Sequence, residues 1–308
     1  MIDCSSYLRS PWCLLIRIYL VVICLLISEL VYGWNALGHR LIAQIAYDKM
    51  SRPAKKIFNQ YNYAVDEGKR HQSFATSAVW LDKMYNTKLA ELKSLHYIDK
   101  PFSLDGTPAG PPNTMNAVWG VKMATYWLTN KQATPLEKGI ALRILIHIVG
   151  DLHQPLHAIT KISQQYPTGD RGGNLVRLSK NSIASNLHAY WDKGAGFLVT
   201  TVYLQPKHGS ARSKQIYVRP KQVKLQARQL LHDWPCDIHA QIINPYEWAE
   251  ESYNLAKQFV YNYPEDHILD SKYQIAASLI VQQRIALAGC RLSILLNSLY
   301  ERVRPVKL

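Results

Sequence analysis

The sequence predicts a mainly α-helical protein, a single large helical domain with at most a small β-ribbon. Three observations predict it. Apolar residues recur at helical rather than alternating spacing through most of the 308 residues. Helix-start signals such as Thr134, Pro135 and Glu137 precede the longest apolar runs. No alternating run is long enough to build a large sheet. With 48% hydrophobic residues and a mean hydropathy of −0.16, the chain can bury one substantial core, and one domain over 34–308 is the expectation.

The first 33 residues differ from the rest. Arg9 and Arg17 accompany a polar start, Ile18 to Ile27 is almost wholly apolar, and Val31, Tyr32 and Gly33 precede Trp34. This is the pattern of a signal peptide cut after Gly33; the apolar run falls short of the roughly 20 residues a membrane span needs. Cys4, Cys13 and Cys24 leave with it, so Cys236 and Cys290 remain, an even number in an exported chain, which suggests one disulfide. Arg9 and Arg17 balance Asp3 and Glu29, so the net charge of +14 stays with the remainder. Such a balance favours anionic partners: nucleic acid, phosphates or membrane surfaces.

In chain order, Asn35 caps a helix reaching about Met50. Asn113 or Thr114 starts another, ending near Leu128, and the Thr134 capping box opens a third that Pro155 terminates. Two more helices are expected over Tyr246–Tyr261 and Gln274–Tyr300. The last is apolar but broken by Gln282, Gln283, Arg284 and Arg291, which marks a core helix, not a membrane span. Pro101–Asn113 and Tyr166–Gly173 are loops by their Pro and Gly content. Phe197–Val218 is either a small β-ribbon or a long loop.

The third helix carries the chemistry. Its expected inward stripe is Leu136, Ile140, Ile144, His147 and Asp151, so histidine and aspartate continue an apolar face. A buried carboxylate costs several kcal/mol unless compensated, and a divalent cation compensates it; a hydrogen-bonded His–Asp pair is the plainer alternative. The same four-residue step recurs at His188 and Asp192, His157 follows Pro155, WLDKM supplies Asp82, and LHYID supplies His96 and Asp99. Histidines and carboxylates without CxxC pairs suit catalytic zinc, and their number suggests more than one ion. If the cut falls after Gly33, the Trp34 amine and carbonyl oxygen can chelate an ion within reach of His39.

In this order, WNALGH, WLD with LHYID, HIVGDLHQPLH, GGN, NLHAYWD and the closing QRIALAGCRLSILLN resemble the S1/P1 nuclease family, secreted zinc nucleases and 3′-nucleotidases, over the whole chain after Gly33. The resemblance implies the helical fold of the zinc phospholipase C and P1 nuclease type, with three Zn2+ per chain. Asp82, His96, His147 and Asp151 would hold one ion and His157, His188 and Asp192 a second. Trp34, His39 and Asp151 would hold the third. It further implies attack on phosphorus by a hydroxide bridging two ions, with Asp82 and Asp151 as the catalytic carboxylates. Substrates would be single-stranded RNA or DNA, cut to 5′-phosphorylated products, and 3′-nucleotides. Tyr97, Asp99 and Asn174 would line the base pocket.

Two departures stand out. Tyr85 occupies the place of an arginine that steadies the transition state in the family, with Lys83, Lys100 or Arg143 as candidate substitutes. Arg171 stands before GGN, where an apolar residue is usual in fungal members of the family, and is expected to contact substrate by stacking on a base. The implied protein is an exported monomer, periplasmic or secreted, with no stable protein partner and no membrane attachment after cleavage. The alternatives are a zinc phospholipase C-like phosphodiesterase, which would place its first histidine further from Trp34 and a Glu at 192, or an exported binding protein without turnover. His153 points away from the stripe as a structural or solvent-facing residue. His71, His208, His232, His239 and His267 are expected on the surface, and Lys207–Arg228 on a solvated face.

Overall fold

The long helices other than Pro220–Asp233 open on side chains that accept the otherwise unpaired N–H groups of a first turn. The computed structural model describes residues 33–84, 90–199, 219–263 and 267–304; the signal segment, Tyr85, His208 and most of Phe197–Val218 lie outside the described residues. Helix α1 (Ala36–Lys49) starts on Asn35, whose Oδ1 accepts from Leu37 and Gly38. Helix α2 (Arg52–Ala64) starts on Ser51, followed by short α3 (Phe74–Ser77) and α4 (Trp80–Lys83) and a 3-10 segment, Ala90–His96. Helix α5 (Ala117–Thr129) is capped by Asn116, not by Asn113 or Thr114. Asn113 forms the turn before it, accepting from Met115 and, through its carbonyl, from Asn116. Helix α6 (Pro135–Asp151) has the expected capping box: Thr134 Oγ1 accepts from Glu137 N, and Glu137 accepts from Thr134 N. It ends before a 3-10 turn at Pro155–His157. Helices α7 (Leu187–Asp192), α8 (Pro220–Asp233), α9 (Pro245–Leu255, running into a π turn at Ala256–Val260) and α10 (Ser271–Val303) complete the set.

Helix α6 is the axis of the core. From Ala141 to Asp151 every residue is buried, because α5, α2, α1 and α10 all pack around it. The expected stripe is therefore corrected at its start: Leu136 is 48% exposed and Ile140 half-buried, since the first turn projects beyond its neighbours. Helix α10 is the one described helix long and apolar enough to cross a membrane, yet it is mostly buried in the protein, against α1 above all. Its Arg284 and Arg291 reach inward. Arg291 donates to both oxygens of Glu251 (2.7 Å each) and to His153 Nε2 (3.0 Å); Arg284 donates to Glu251 (3.0 Å), to Ser252 Oγ (2.9 Å) and to the His153 carbonyl (3.2 Å). His153 donates from Nδ1 to Val149 O at 2.7 Å. Burial, then the two arginines, holds this imidazole well below its usual pKa. It is a buried neutral strut, not a solvent-facing side chain. Cys236 and Cys290 are bonded, tying the segment after α8 to α10.

Among the described residues there is one two-stranded sheet. Strand β1 (Lys100–Ser103) pairs in parallel with β2 (Ile159–Ile162), Lys100 opposite Ile159 and Ser103 opposite Ile162. The stretch expected to be all loop from Pro101 thus begins as a strand. A two-stranded sheet is all edge, and an edge tolerates a proline whose missing donor faces away from the ladder.

Gly139 lets α6 meet α2. A Cβ there would lie 2.1 Å from the Tyr61 carbonyl oxygen and 2.6 Å from Val65 Cγ2. In an open helix Gly→Ala gains about 1 kcal/mol. At this contact the backbone has to move, so Gly139→Ala is expected to lower Tm by about 5 °C in thermal denaturation. A rise in Tm would show that the two helices can separate freely.

Candidate metal centre

The last turn of α6 and the chain on either side of it bring the titratable groups together. His147 and Asp151 are fully buried one turn apart, and α1 lays His39 against them, its ring stacked on His147 at 3.9 Å between centroids. Gly150 permits this, since a Cβ there would lie 2.9 Å from His39 Nδ1. Asp151 Oδ1 lies 3.2 Å from His39 Nε2. Its Oδ2 lies 3.0 Å from His96 Nδ1 and 3.3 Å from His147 Nε2. Asp82, on α4, lies 3.3 Å from His147 Nε2 and 4.0 Å from His96 Nδ1. A second group forms where the 3-10 turn after α6 meets α7. His157 and His188 face each other Nε2 to Nε2 at 3.2 Å, with Asp192 3.9 and 3.5 Å away.

How the rings are held decides what they offer. His147 donates from Nδ1 to Ala78 O (2.6 Å), His157 to His96 O (2.6 Å) and His188 to Gly172 O (2.7 Å). Each Nδ1 proton is thereby committed to a backbone carbonyl, which leaves Nε2 as the lone-pair atom, and three such atoms converge on the carboxylates. Two imidazole lone pairs 3.2 Å apart repel unless a cation lies between them, and an imidazole whose other nitrogen is fixed by a carbonyl is the usual setting of a metal ligand. Asp151 Oδ1, Asp82 Oδ1 and both ring nitrogens of His39 are buried without a hydrogen-bond partner. His39, His147 and Asp151, then Asp82, His96 and His147, then His157, His188 and Asp192 each form a group able to hold a metal ion. The donors are nitrogen and oxygen with no thiolate, and they fit zinc.

The electrostatics show the strain of gathering these groups. Burial opposes charge on Asp151, yet His147 and His39 outweigh it and hold the carboxyl well below its usual range. Burial likewise opposes charge on His147, but Asp151 and Asp82 keep its pKa well above the ordinary imidazole value. His39 is lowered by burial and by His147. Asp192 is pushed far up by burial, then by Asp151 and Asp82, despite the hydrogen bond from Gln154.

Gln154 had no expected role. Its Nε2 donates to Asp192 Oδ1 at 2.7 Å while its Oε1 accepts from Leu156 N at 2.6 Å, so it fixes the carboxylate from behind. Its position inside HQPLH was the available signal. Of the candidate substitutes for an arginine at Tyr85, two are engaged elsewhere. Arg143 is buried, donating to Asn62 Oδ1 (2.9 Å) and Asp66 Oδ2 (2.7 Å), and locks α6 to the end of α2. Lys100 pairs with Glu250 and lies over the Tyr253 ring. Lys83 is exposed beside Asp82.

The expected base-pocket residues lie on two adjoining segments. Tyr97 and half-buried Asp99 lead into β1. Asn174 follows a left-handed run in which Arg171, Gly172 and Gly173 have φ of 56°, 60° and 81°. Asn174 Nδ2 donates to the Arg171 carbonyl at 2.8 Å, stabilising that run, and Arg171 itself is exposed. Asp170 ties the loop down, accepting from Lys161 N (2.9 Å) and from Tyr261 Oη (2.7 Å). Outside these groups, His71, His232 and His239 are exposed and His267 is half-buried, donating to Arg177 O; the described lysines and arginines of 219–228 are exposed.

The chain matches the family described as S1/P1 Nuclease over residues 34–301. It is 25% identical to Endonuclease 3 of Arabidopsis thaliana over 94% of this chain and 98% of that protein. It is 27% identical to Nuclease S1 of Aspergillus oryzae over 54% of this chain and 56% of that protein. To Nuclease P1 of Penicillium citrinum it is 25% identical, over 52% and 57% respectively.

Asp99 makes a pH prediction. Burial, then the facing Asp170, pushes its carboxyl up from 3.8 to about 6. A carboxyl raised by folding binds more protons in the folded chain, so its contribution is full below the unfolded pKa and lost as pH rises through the folded one. Asp99→Asn escapes that loss. Its Tm is expected to exceed that of the wild type at pH 7.5, by about 3 °C, and to lose this advantage at pH 4. An advantage independent of pH in paired melts would contradict the assignment.

Proposed function

Because the chain belongs to the S1/P1 nuclease family, we propose that this hydrolytic nuclease is an exported monomer that holds three zinc ions and cleaves single-stranded RNA and DNA. Its products would be 5′-phosphorylated, and 3′-mononucleotides would yield nucleosides. The observation that carries the reading is the convergence of three metal-capable groups on one buried helix end, with imidazole nitrogens aimed at carboxylates and at each other. One ion would lie among Asp82, His96, His147 and Asp151, and a second among His157, His188 and Asp192.

The third would use His39, Asp151 and Trp34. Supporting this, the backbone entering Trp34 lies directly on the cluster: a Cβ on Gly33 would fall 1.7 Å from Asp151 Oδ1 and 3.0 Å from His39 Nε2. Cleavage after Gly33 would leave the Trp34 amine there, while Asn35 N donates to the Asp192 carbonyl at 2.9 Å and anchors the new terminus. Bound zinc supplies Lewis acidity, lowering the pKa of a water and offsetting phosphate charge. The protein's part is orientation. Asp82 would align the attacking water and take its proton, and the Tyr97, Asp99 and Asn174 pocket, with Arg171 at its rim, would fix the base. A base can enter such a pocket only when unstacked, which favours single strands over duplex.

Zinc per purified chain, measured by mass spectrometry, is expected near three. Hydrolysis of single-stranded RNA is expected to fall below about 1% of wild type in EDTA and in His147→Ala, with activity restored by zinc in the first case alone. Full activity in the metal-free protein would end the proposal. An added residue before Trp34 is expected to cripple the enzyme and lower its zinc content; unchanged rate and content would remove Trp34 from the ligand set.

A further inference from the structure

A nuclease acting on a polymer must hold strand beyond the nucleotide being cut. Of the four exposed Tyr and Trp side chains among the described residues, three gather in one place; the fourth, Tyr63, lies on α2 against His71. Trp119 is 43% and Tyr126 63% exposed on the outer side of α5, with Met115 ahead of them at 44% and Tyr246, on α9, at 54%. Met115, Trp119, Lys122 and Tyr126 follow steps of four, three and four, so they form one solvent-facing line on or just before the helix. Lys122 lies within that line, its Nζ 4.1 Å from the centroid of the Tyr246 ring. The nearby acids are engaged elsewhere: Glu250 with Lys100, and Glu247 with the Asn244 amide at 3.1 Å.

Exposed rings around an ammonium are unusual on a soluble surface, where large apolar side chains are normally scattered singly. They match the chemistry of an unpaired strand, whose bases present flat π-faces and whose backbone is anionic. The line also starts at the candidate site. Ala117 N donates to the Tyr97 carbonyl at 2.9 Å, and the 3-10 segment ending at His96 packs on α5. Trp119 and Tyr126 are about 10 Å apart along the helix axis, far enough to take different bases of one strand.

We infer that the outer face of α5, with Tyr246 of α9, is a docking track for single-stranded nucleic acid leading to the metal centre. The inference rests on the nuclease reading and adds a second binding surface to it. Trp119 and Tyr126 stack on bases and Lys122 meets the phosphates between them. The track is sequence-tolerant, since every base has a face to stack.

The zinc-loaded enzyme with Trp119→Ala and Tyr126→Ala together, and separately with Lys122→Ala, tests it against two substrates: a 3′-mononucleotide and an oligothymidylate of about 15 nucleotides. The double variant is expected to raise KM for the oligonucleotide about tenfold while leaving kcat and both constants for the mononucleotide within about twofold. Lys122→Ala is expected to flatten the salt dependence of the oligonucleotide KM. An unchanged oligonucleotide KM overturns the track, as does equal impairment on both substrates. Loss of self-association without a KM change overturns it too and makes the face a contact between copies. Should wild type cleave neither substrate, the nuclease reading fails on its own. The track is then judged by fluorescence anisotropy of labelled oligothymidylate: weaker binding by the double variant upholds it and equal binding overturns it.

Discussion

A carboxylate buried in the last turn of a core helix is the constraint on which the site is built. Asp151 has no exposed surface, and it lies at the C-terminal end of the helix, the negative end of the macrodipole. An anion there is disfavoured twice, by desolvation and by the helix. The neighbouring imidazoles offset part of this, but every proton that stabilises Asp151 charges a buried histidine, and His39 and His147 oppose each other's protonation. Protons alone leave the cluster frustrated. Divalent cations, as proposed, would relieve both sides together, neutralising Asp151, Asp82 and Asp192 while letting the imidazoles stay neutral.

The same constraint explains why fold and site are inseparable. The three carbonyls that receive the Nδ1 protons come from three separate segments: Ala78 in the turn after α3, His96 at the end of the 3-10 segment, and Gly172 in the loop before α7. Each such bond fixes a ring and at the same time pins a segment: Ala78 to α6, His96 to the turn after it, and Gly172 to α7. Behind the turn after Asp151, Arg284 and Arg291 of α10 grip the His153 backbone and ring, and Gln154 reaches forward to Asp192. The long C-terminal helix therefore acts on a centre it does not touch, by setting the path of the two or three residues between the groups.

What was legible in the sequence follows from locality. Asn35, Thr134 with Glu137, and the His–Asp steps of four are local signals, and the structure bears out the helices they mark. Arg52–Ala64 gives a weaker signal, because only Ala54, Phe58 and Asn62 are buried in an otherwise polar helix. The β1–β2 pair was hidden because a strand of four residues beginning Lys-Pro has no alternation to detect and its partner lies past α6. Arg143 looked like a spare cation near the site. That it is spent on Asn62 and Asp66 depends on a contact some 80 residues away, which spacing cannot reveal. The S1/P1 resemblance supplied what periodicity could not, the grouping of ligands from distant segments.

The short parallel pair has a role out of proportion to its size. The segment before β1 carries Tyr97 and Asp99; β2 leads into the loop carrying Arg171 and Asn174. Asp105, just beyond β1, accepts from Gln164 N just beyond β2 at 2.9 Å, and Asp170 folds the loop back onto Lys161. These bonds secure the far end of the four-residue ladder, and Ile98 N, donating to the His157 carbonyl at 2.8 Å, ties the two walls of the proposed base pocket together at its start. A clamped pocket selects through the side chains at its rim more than by closing on its ligand. Arg171, held at positive φ where a non-glycine residue is strained, is an exposed cation on the rim of the proposed pocket. Its backbone is set by the glycines that follow and by Asn174, so the side chain does not hold the loop in place. If the pocket binds a base as proposed, a substitution at Arg171 would alter its rim without moving the histidines and aspartates at the end of α6.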